Sequence, residues 1–162
     1  MGTVMFFQLL RSSPADTLAV NLPRALAQGW RVMIRGTDPA SLDRMDADLW
    51  LLGADEGFIP HGREGGPQDA DQPVLIGQGA GSNAAQVLAL VDGAGTDDAE
   101  ISAMERVWIL FDGENDPRTA AARLQWKAIT AAGHAAQYWS EDSGRWVKKA
   151  ETAANQRQPQ IS

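Results

Sequence analysis

Three side chains in the last third of the chain have the types and spacing of a site that binds an anionic partner. Trp126 and Lys127 follow Arg123 by three and four residues, and residues at these spacings are neighbours on the surface of a helix. An indole beside two cations offers apolar area and two charged partners for carboxylates. The group therefore predicts a surface that grips an acidic partner with an aromatic tip.

A pair of carboxylates offers a second kind of chemistry. Asp112 and Glu114 follow the apolar run 106–111, an arrangement that suits a magnesium ion in phosphate chemistry. A nucleotide hydrolase of this kind also needs a glycine-rich phosphate loop that ends in Lys-Ser or Lys-Thr. The first lysine of this chain is Lys127. We therefore interpret the pair as a turn and a helix cap, and keep a small metal- and nucleotide-dependent α/β enzyme as the alternative function.

Imidazole and thiolate chemistry has few candidates. The chain has no cysteine and only two histidines, His61 and His134, which lie far apart and have no serine or aspartate in a recognisable catalytic order. Structural or surface roles are the expectation for both. The residues alone predict no catalytic group and no metal site.

The hydrophobic pattern predicts strands that alternate with helices. We expect strands at 4–10, 31–35, 73–77, 106–111 and 134–139 with a short return at 146–147, and helices at 17–30, 39–52, 82–91 and 117–132. The predicted N-caps of the four helices are Asp16, Asp38, Ser82 and Asp116. The alternation favours a mainly parallel sheet covered by helices.

The helix predicted at 117–132 carries the anion site, so its orientation matters. At about 100° per residue, one side collects small or apolar residues and is expected to pack on the sheet: Ala120, Ala121, Leu124, Ala128 and Ala131. The other side collects Thr119, Arg123, Trp126, Lys127 and Thr130. The competing interpretation is a surface tryptophan shielded by the stems of the cations or covered by the C-terminal segment.

A second group of apolar residues lies around a predicted loop. It comprises Trp50, Leu51, Phe58, Ile59 and Pro60. Two interpretations stay open, which are packing in the core and an exposed patch for a protein partner.

Composition and charge limit the classes of function. A chain of 162 residues favours one domain, expected at 3–150 and followed by a polar tail at 151–162 that we expect to be disordered. It has no apolar run of membrane length, no signal-peptide pattern and no cysteine, which together favour the cytoplasm. The net charge of −7 opposes strong nucleic-acid binding. Residues 117–150 nevertheless hold six bases and two acids, which indicates an interaction face there.

The order of several motifs resembles a known family. The series is Trp30-Arg-Val-Met-Ile, Leu49-Trp50, Phe58-Ile-Pro-His61, Pro73-Val-Leu-Ile and Arg123 with Trp126-Lys127. It is similar to the chi subunit (HolC-like) of bacterial DNA polymerase III over residues 3–150. The resemblance implies a three-layer, Rossmann-like or helicase-like α/β domain without a nucleotide site, and a non-catalytic accessory subunit in DNA replication that needs no cofactor.

The same resemblance implies partners and site residues. The partners are the acidic C-terminal tail of single-stranded DNA-binding protein (SSB), which ends in Pro-Phe, and a psi subunit or another clamp-loader subunit; DNA contact is indirect or weak. Arg123, Trp126 and Lys127 match the tail-binding positions, and Trp126 replaces the tyrosine of better-known members. Thr119 stands where those members have a further lysine, with Arg118 adjacent. Trp50 and Phe58, with Ile59 and Pro60, match the surface that binds psi.

Overall fold

An eight-stranded sheet forms the middle layer of the protein. The computed structural model describes residues 2–56, 59–142 and 144–153. The strands are β1 (Thr3–Leu9), β2 (Val32–Arg35), β3 (Gly62–Arg63), β4 (Val74–Gly77), β5 (Val87–Leu90), β6 (Arg106–Asp112), β7 (Ala135–Asp142) and β8 (Arg145–Thr152). The helices are α1 (Pro14–Ala27), α2 (Pro39–Glu56), α3 (Asp98–Ala103) and α4 (Asp116–Ala131).

The sheet is mainly parallel, as the alternating pattern predicted. The strand order is β3-β4-β2-β5-β6-β1-β7-β8, and the antiparallel neighbours are β7 and β8. In β1, Thr3 pairs with Arg106 on one side and with Ala135 on the other. This register brings the carboxyl ends of β6, β1 and β7 to one edge, where ligands of open α/β sheets usually bind.

Helices cover both faces of the sheet, which confirms the three-layer α/β fold. On one face, α1 and α2 bury Leu18, Leu22, Leu42 and Leu49 against the sheet. On the other face, α3 and α4 bury Ile101, Ala122 and Ile129. Because the central strands are covered on both sides, they read as continuous apolar runs rather than as alternating ones.

The helix predicted at 82–91 was wrong. Its apolar residues form β5, in which Val87 to Leu90 are all buried between β2 and β6. A short apolar run satisfies a buried strand and a buried helix equally well, so its periodicity could not distinguish them. Ala84, with a φ of 54°, interrupts any helix that would start at Ser82.

Two of the predicted caps were also wrong. Ser13, rather than Asp16, caps α1, because its hydroxyl accepts a hydrogen bond from the amide N–H of Asp16 while the Asp16 carboxylate accepts one from the amide of Ser13. The helix therefore starts three residues before the predicted position and contains Pro23 in its interior. Asn115, rather than Asp116, caps α4 through a bond of 3.0 Å from the amide of Arg118.

Other elements extend or add to the prediction. Helix α2 continues to Glu56, and β8 is a full strand that includes Glu151 and Thr152 from the predicted polar tail. The short elements α3 and β3 were not predicted. Residues 154–162 lie outside the described part of the chain. No helix of the described residues is both long and apolar enough to cross a membrane.

We expect Ser13→Ala to lower the free energy of unfolding by about 1 kcal/mol, because it removes the side-chain half of the capping box. Chemical denaturation followed by circular dichroism measures the change. Ser82→Ala is the matched control, since Ser82 is exposed and precedes no helix, and it should leave the midpoint unchanged. Equal effects of the two substitutions would contradict the assigned cap.

Candidate functional site

The orientation of α4 differs from the one that its sequence favoured. The buried residues are Thr119, Ala122 and Ile129, and Trp126, which completes their spacing of three and four, packs against the same cluster. The residues predicted to face the sheet are exposed instead: Ala120, Ala121, Leu124, Ala128 and Ala131. Indole and isoleucine side chains remove far more apolar area from water than alanines do, so they determine the buried face.

Trp126 therefore belongs to an aromatic cluster rather than standing free on the surface. Its ring meets the edge of Phe6 at a centroid distance of 5.5 Å and that of Tyr138 at 5.9 Å. Phe6 and Tyr138 stack on each other at 6.1 Å. The indole is half-buried, so one part anchors α4 to β1 and β7 and the other part remains accessible beside the helix.

Two cations lie close to Trp126 along α4, one a helical turn before it and one directly after it. Arg123 and Lys127 are exposed, and neither forms an ion pair with another described residue. Burial raises the pKa of Tyr138, and the positive charge of nearby Arg123 opposes part of that increase. The Tyr138 hydroxyl donates to Oε1 of Gln8 at 3.3 Å. The structure thus brings Arg123, Trp126 and Tyr138 together on the flank of α4 that faces β7.

Arg118 and Thr119 play different parts from those expected. Thr119 is buried, and its hydroxyl donates to the carbonyl oxygen of Gly113 at 3.3 Å. Arg118 lies on the other flank of α4, where it borders a small pocket of about 110 Å³ with Ile109 and Gln125. The two flanks of α4 therefore carry separate cations, and Thr119 presents no side chain to a partner.

The second predicted cluster is partly assembled. Trp50 is 45% exposed and its ring lies 4.2 Å from that of His61 between centroids, while Leu51 is 71% exposed. Ile59 is buried and Pro60 half-buried, and Phe58 lies outside the described residues. His61 is buried, with Nδ1 2.7 Å from the carbonyl oxygen of Ile59 and Nε2 3.1 Å from that of Asp46. The cluster therefore combines a core residue, Ile59, with two exposed side chains, Trp50 and Leu51.

The candidate carboxylate pair forms a turn. Asp112 accepts a hydrogen bond of 2.9 Å from the amide of Glu114, and both side chains are exposed. His134 contacts the Asp98 carboxylate at 3.0 Å, far from the pair in sequence. Among the described residues, no three metal-ligating side chains come together. This geometry favours the interpretation as a turn over a metal centre.

Glu141 forms a long-range contact that no local sequence pattern predicts. Its Oε1 accepts hydrogen bonds from the amides of Leu10, Arg11 and Ser12 at 2.9–3.0 Å, and its Oε2 accepts one from the Ser12 hydroxyl at 2.7 Å. The partners lie about 130 residues away, so no local pattern could reveal them. The carboxylate fills the loop between β1 and α1, where phosphates bind in related α/β folds.

The protonation of Glu141 follows from this environment. Burial by itself would raise the pKa of the carboxyl group, but the hydrogen bonds from Ser12, Arg11 and Leu10 favour the ionised form more strongly. The pKa is therefore lowered, and Glu141 remains a carboxylate at neutral pH. The amides of Leu10, Arg11 and Ser12 therefore already bind an anion of their own chain.

A comparison with models of protein families gives a match over most of the chain. A family model described as DNA polymerase III chi subunit, HolC, matches residues 1–137 of the chain. No curated protein matches the chain. The matched range includes β1 to β6 and α1 to α4, and therefore both predicted binding surfaces.

We expect Glu141→Gln to lower the free energy of unfolding by about 3 kcal/mol at neutral pH, because an amide group cannot accept all four hydrogen bonds. The folded pKa lies below the unfolded value near 4.5. The contribution is therefore complete above that value and is lost as the pH falls through the folded pKa. The difference in melting temperature between wild type and Glu141→Gln should therefore become smaller as the pH falls below this range.

Glu105→Gln provides the control for this experiment, because Glu105 is exposed and its carboxylate has no described partner. It should leave stability unchanged at neutral pH. If the difference in melting temperature between wild type and Glu141→Gln stayed constant from pH 7 to pH 3, the ionised state assigned to Glu141 would be contradicted.

Proposed function

Because the chain belongs to the family of DNA polymerase III chi subunits, we propose that it is an adaptor that binds the acidic C-terminal tail of SSB and links it to the clamp loader. Members of this family are non-catalytic accessory subunits of DNA polymerase III. The proposed mechanism is therefore recognition without a chemical step. The observation that carries the proposal is the position of Arg123 and Lys127, both exposed, next to the half-buried Trp126 along α4. Neither cation forms an ion pair with another described residue.

Each residue of this flank has a distinct proposed role. The Arg123 guanidinium pairs with the terminal carboxylate of the tail, because its fork of donors matches two carboxylate oxygens. Lys127 pairs with an acidic side chain of the tail as a point charge. Trp126 forms the wall against which the terminal phenylalanine packs. Phe6 and Tyr138 hold this wall in place, which reduces the ordering cost of binding.

Electrostatics supports an acidic partner at this flank. The whole protein has a net charge of −7, yet residues 117–150 contain six bases and two acids. One of those acids, Glu141, is buried and points its carboxylate to the amides of the loop after β1. The acidic tail would therefore be attracted to α4 and repelled elsewhere, which gives orientation and a salt-dependent association rate.

A second surface suits a subunit of the clamp loader. Trp50 and Leu51 project from α2, whose buried residues belong to the opposite face of the sheet from those of α4. Ile59 and Pro60 support this patch from the loop that follows. A partner of the psi type on α2 and the SSB tail on α4 could then bind together without a steric conflict. In this proposal the protein contacts DNA only indirectly, through SSB.

We expect Arg123→Ala to weaken binding of a fluorescent SSB-tail peptide about tenfold, the effect of losing one charge-assisted contact of about 1.4 kcal/mol. Fluorescence anisotropy measures the affinity. A higher salt concentration should weaken peptide binding by wild type more than peptide binding by Arg123→Ala. Arg44→Ala removes the same charge from an exposed position on α2 and should bind as wild type does. Equal affinity of wild type and Arg123→Ala would overturn the tail site.

We expect Leu51→Glu to abolish binding of a psi-type subunit, because it places a charge in the centre of the exposed patch on α2. Size-exclusion chromatography of the mixed proteins detects the complex. The same variant should bind the SSB-tail peptide normally, and Arg123→Ala should bind psi normally. If either variant kept its fold but lost binding to both the psi-type subunit and the SSB-tail peptide, the proposal of two separate binding surfaces would be contradicted.

A further inference from the structure

A groove lies between α1 and the β7–β8 hairpin, on the face of the sheet opposite α4. Its volume is about 290 Å³. Its apolar lining comes from β1, α1 and the hairpin: Met5, Phe7, Val20, Trp139 and Trp146. None of the surfaces assigned above includes these side chains. The groove is large enough for one bulky apolar side chain.

The two tryptophans form firm walls. The ring of Trp146 meets Phe7 edge to face at a centroid distance of 5.5 Å. The indole N–H of Trp139 donates to Oε1 of Gln137 at 2.9 Å. Both rings are half-buried, and Val20 on the facing side of α1 is 54% exposed. Apolar area is therefore held open to solvent between rigid walls, which is the arrangement of an interface anchor pocket.

One cation at the rim of the groove has no ionic partner among the described residues. Arg24 is exposed and forms no ion pair with any of them. Lys148 lies 5.9 Å from the centroid of the Trp139 ring, but its ammonium group pairs with the Glu151 carboxylate at 2.8 Å. The carboxylate of Asp16, which also lines the groove, accepts a hydrogen bond from the amide of Ser13 in the capping box of α1. Arg24 is therefore the cation at this rim that is available to a carboxylate.

From this geometry we propose that the groove docks a peptide segment in which a large apolar side chain stands next to a carboxylate. The side chain enters between Trp139, Trp146 and Val20, and the carboxylate pairs with Arg24. A single-stranded nucleic acid fits less well, because its row of phosphates needs several cations and the lining residues include one arginine and no lysine. This site is independent of the tail site on α4, from which the sheet separates it.

The test follows the indole N–H signals of the intact protein by NMR during titration. The probe is acetyl-Glu-Phe-amide, and the charge-reversed probe is acetyl-Lys-Phe-amide. We expect the Glu probe to shift the signals of Trp139 and Trp146, with saturation in the millimolar range, and to leave the buried Trp108 unchanged. The Lys probe should bind at least about fivefold more weakly, as expected for exchange of an attractive for a repulsive charge contact.

Two substitutions at exposed positions define the site. Val20→Arg should abolish the shifts by filling the groove, and Arg24→Glu should reverse the preference between the two probes. The matched control is Val147→Arg, because Val147 is 37% exposed and alternation along β8 directs it to the face opposite Trp146. It should bind the Glu probe as wild type does.

Three results would overturn the proposal. The first is the absence of shifts at Trp139 and Trp146 at saturating concentrations of the Glu probe. The second is that wild type binds the Glu and Lys probes with equal affinity and that Arg24→Glu also binds them equally. The third is a response of these signals to oligothymidylate but not to the peptide, which would assign the groove to nucleic acid. Because Arg123→Ala leaves the groove intact, the same titration on that variant separates this site from the tail site.

Discussion

The burial of β1 on both faces of the sheet is the constraint on which the other features depend. Its adjacent residues Phe6 and Phe7 point to opposite layers, as successive residues of a strand must. Phe6 contacts Trp126 of α4, whereas Phe7 contacts Trp146 of the hairpin. The parallel pairing of β1 with β6 and β7 keeps both phenylalanines in place. The two proposed binding surfaces, which lie on opposite faces, therefore share one strand as their support.

The loop that follows β1 explains why recognition rather than catalysis suits this fold. In related α/β folds the amides at this position bind a phosphate. Here the amides of Leu10, Arg11 and Ser12 hold the carboxylate of Glu141 from β7. This contact joins the hairpin to the central strand, and it occupies the anion position from within the molecule.

Charge and aromatic area are combined in a similar way at these surfaces. On α4, Arg123 lies one helical turn before the half-buried Trp126, and Lys127 is the residue after it. At the hairpin groove, Arg24 lines the same cavity as two further tryptophans. In both places the aromatic ring is fixed by neighbours while a cation remains accessible. In the proposed function of these surfaces, a molecule with a net charge of −7 would attract acidic segments at these positions and repel them elsewhere.

The sequence by itself determined the α/β class, the mainly parallel sheet and the proximity of Arg123, Trp126 and Lys127, because apolar runs and helical spacing are local properties. Its motif order also indicated the family. Only the tertiary structure decided that 82–91 holds a strand, since a short apolar run fits either state until its neighbours are known. It also decided which side of α4 is buried. Helical spacing shows which residues of α4 share a face. Which face is buried depends on the contacts of Trp126 with Phe6 and Tyr138, which belong to other strands. The contact of Glu141 with the loop after β1 joins distant residues, and the path of the whole chain brings them together.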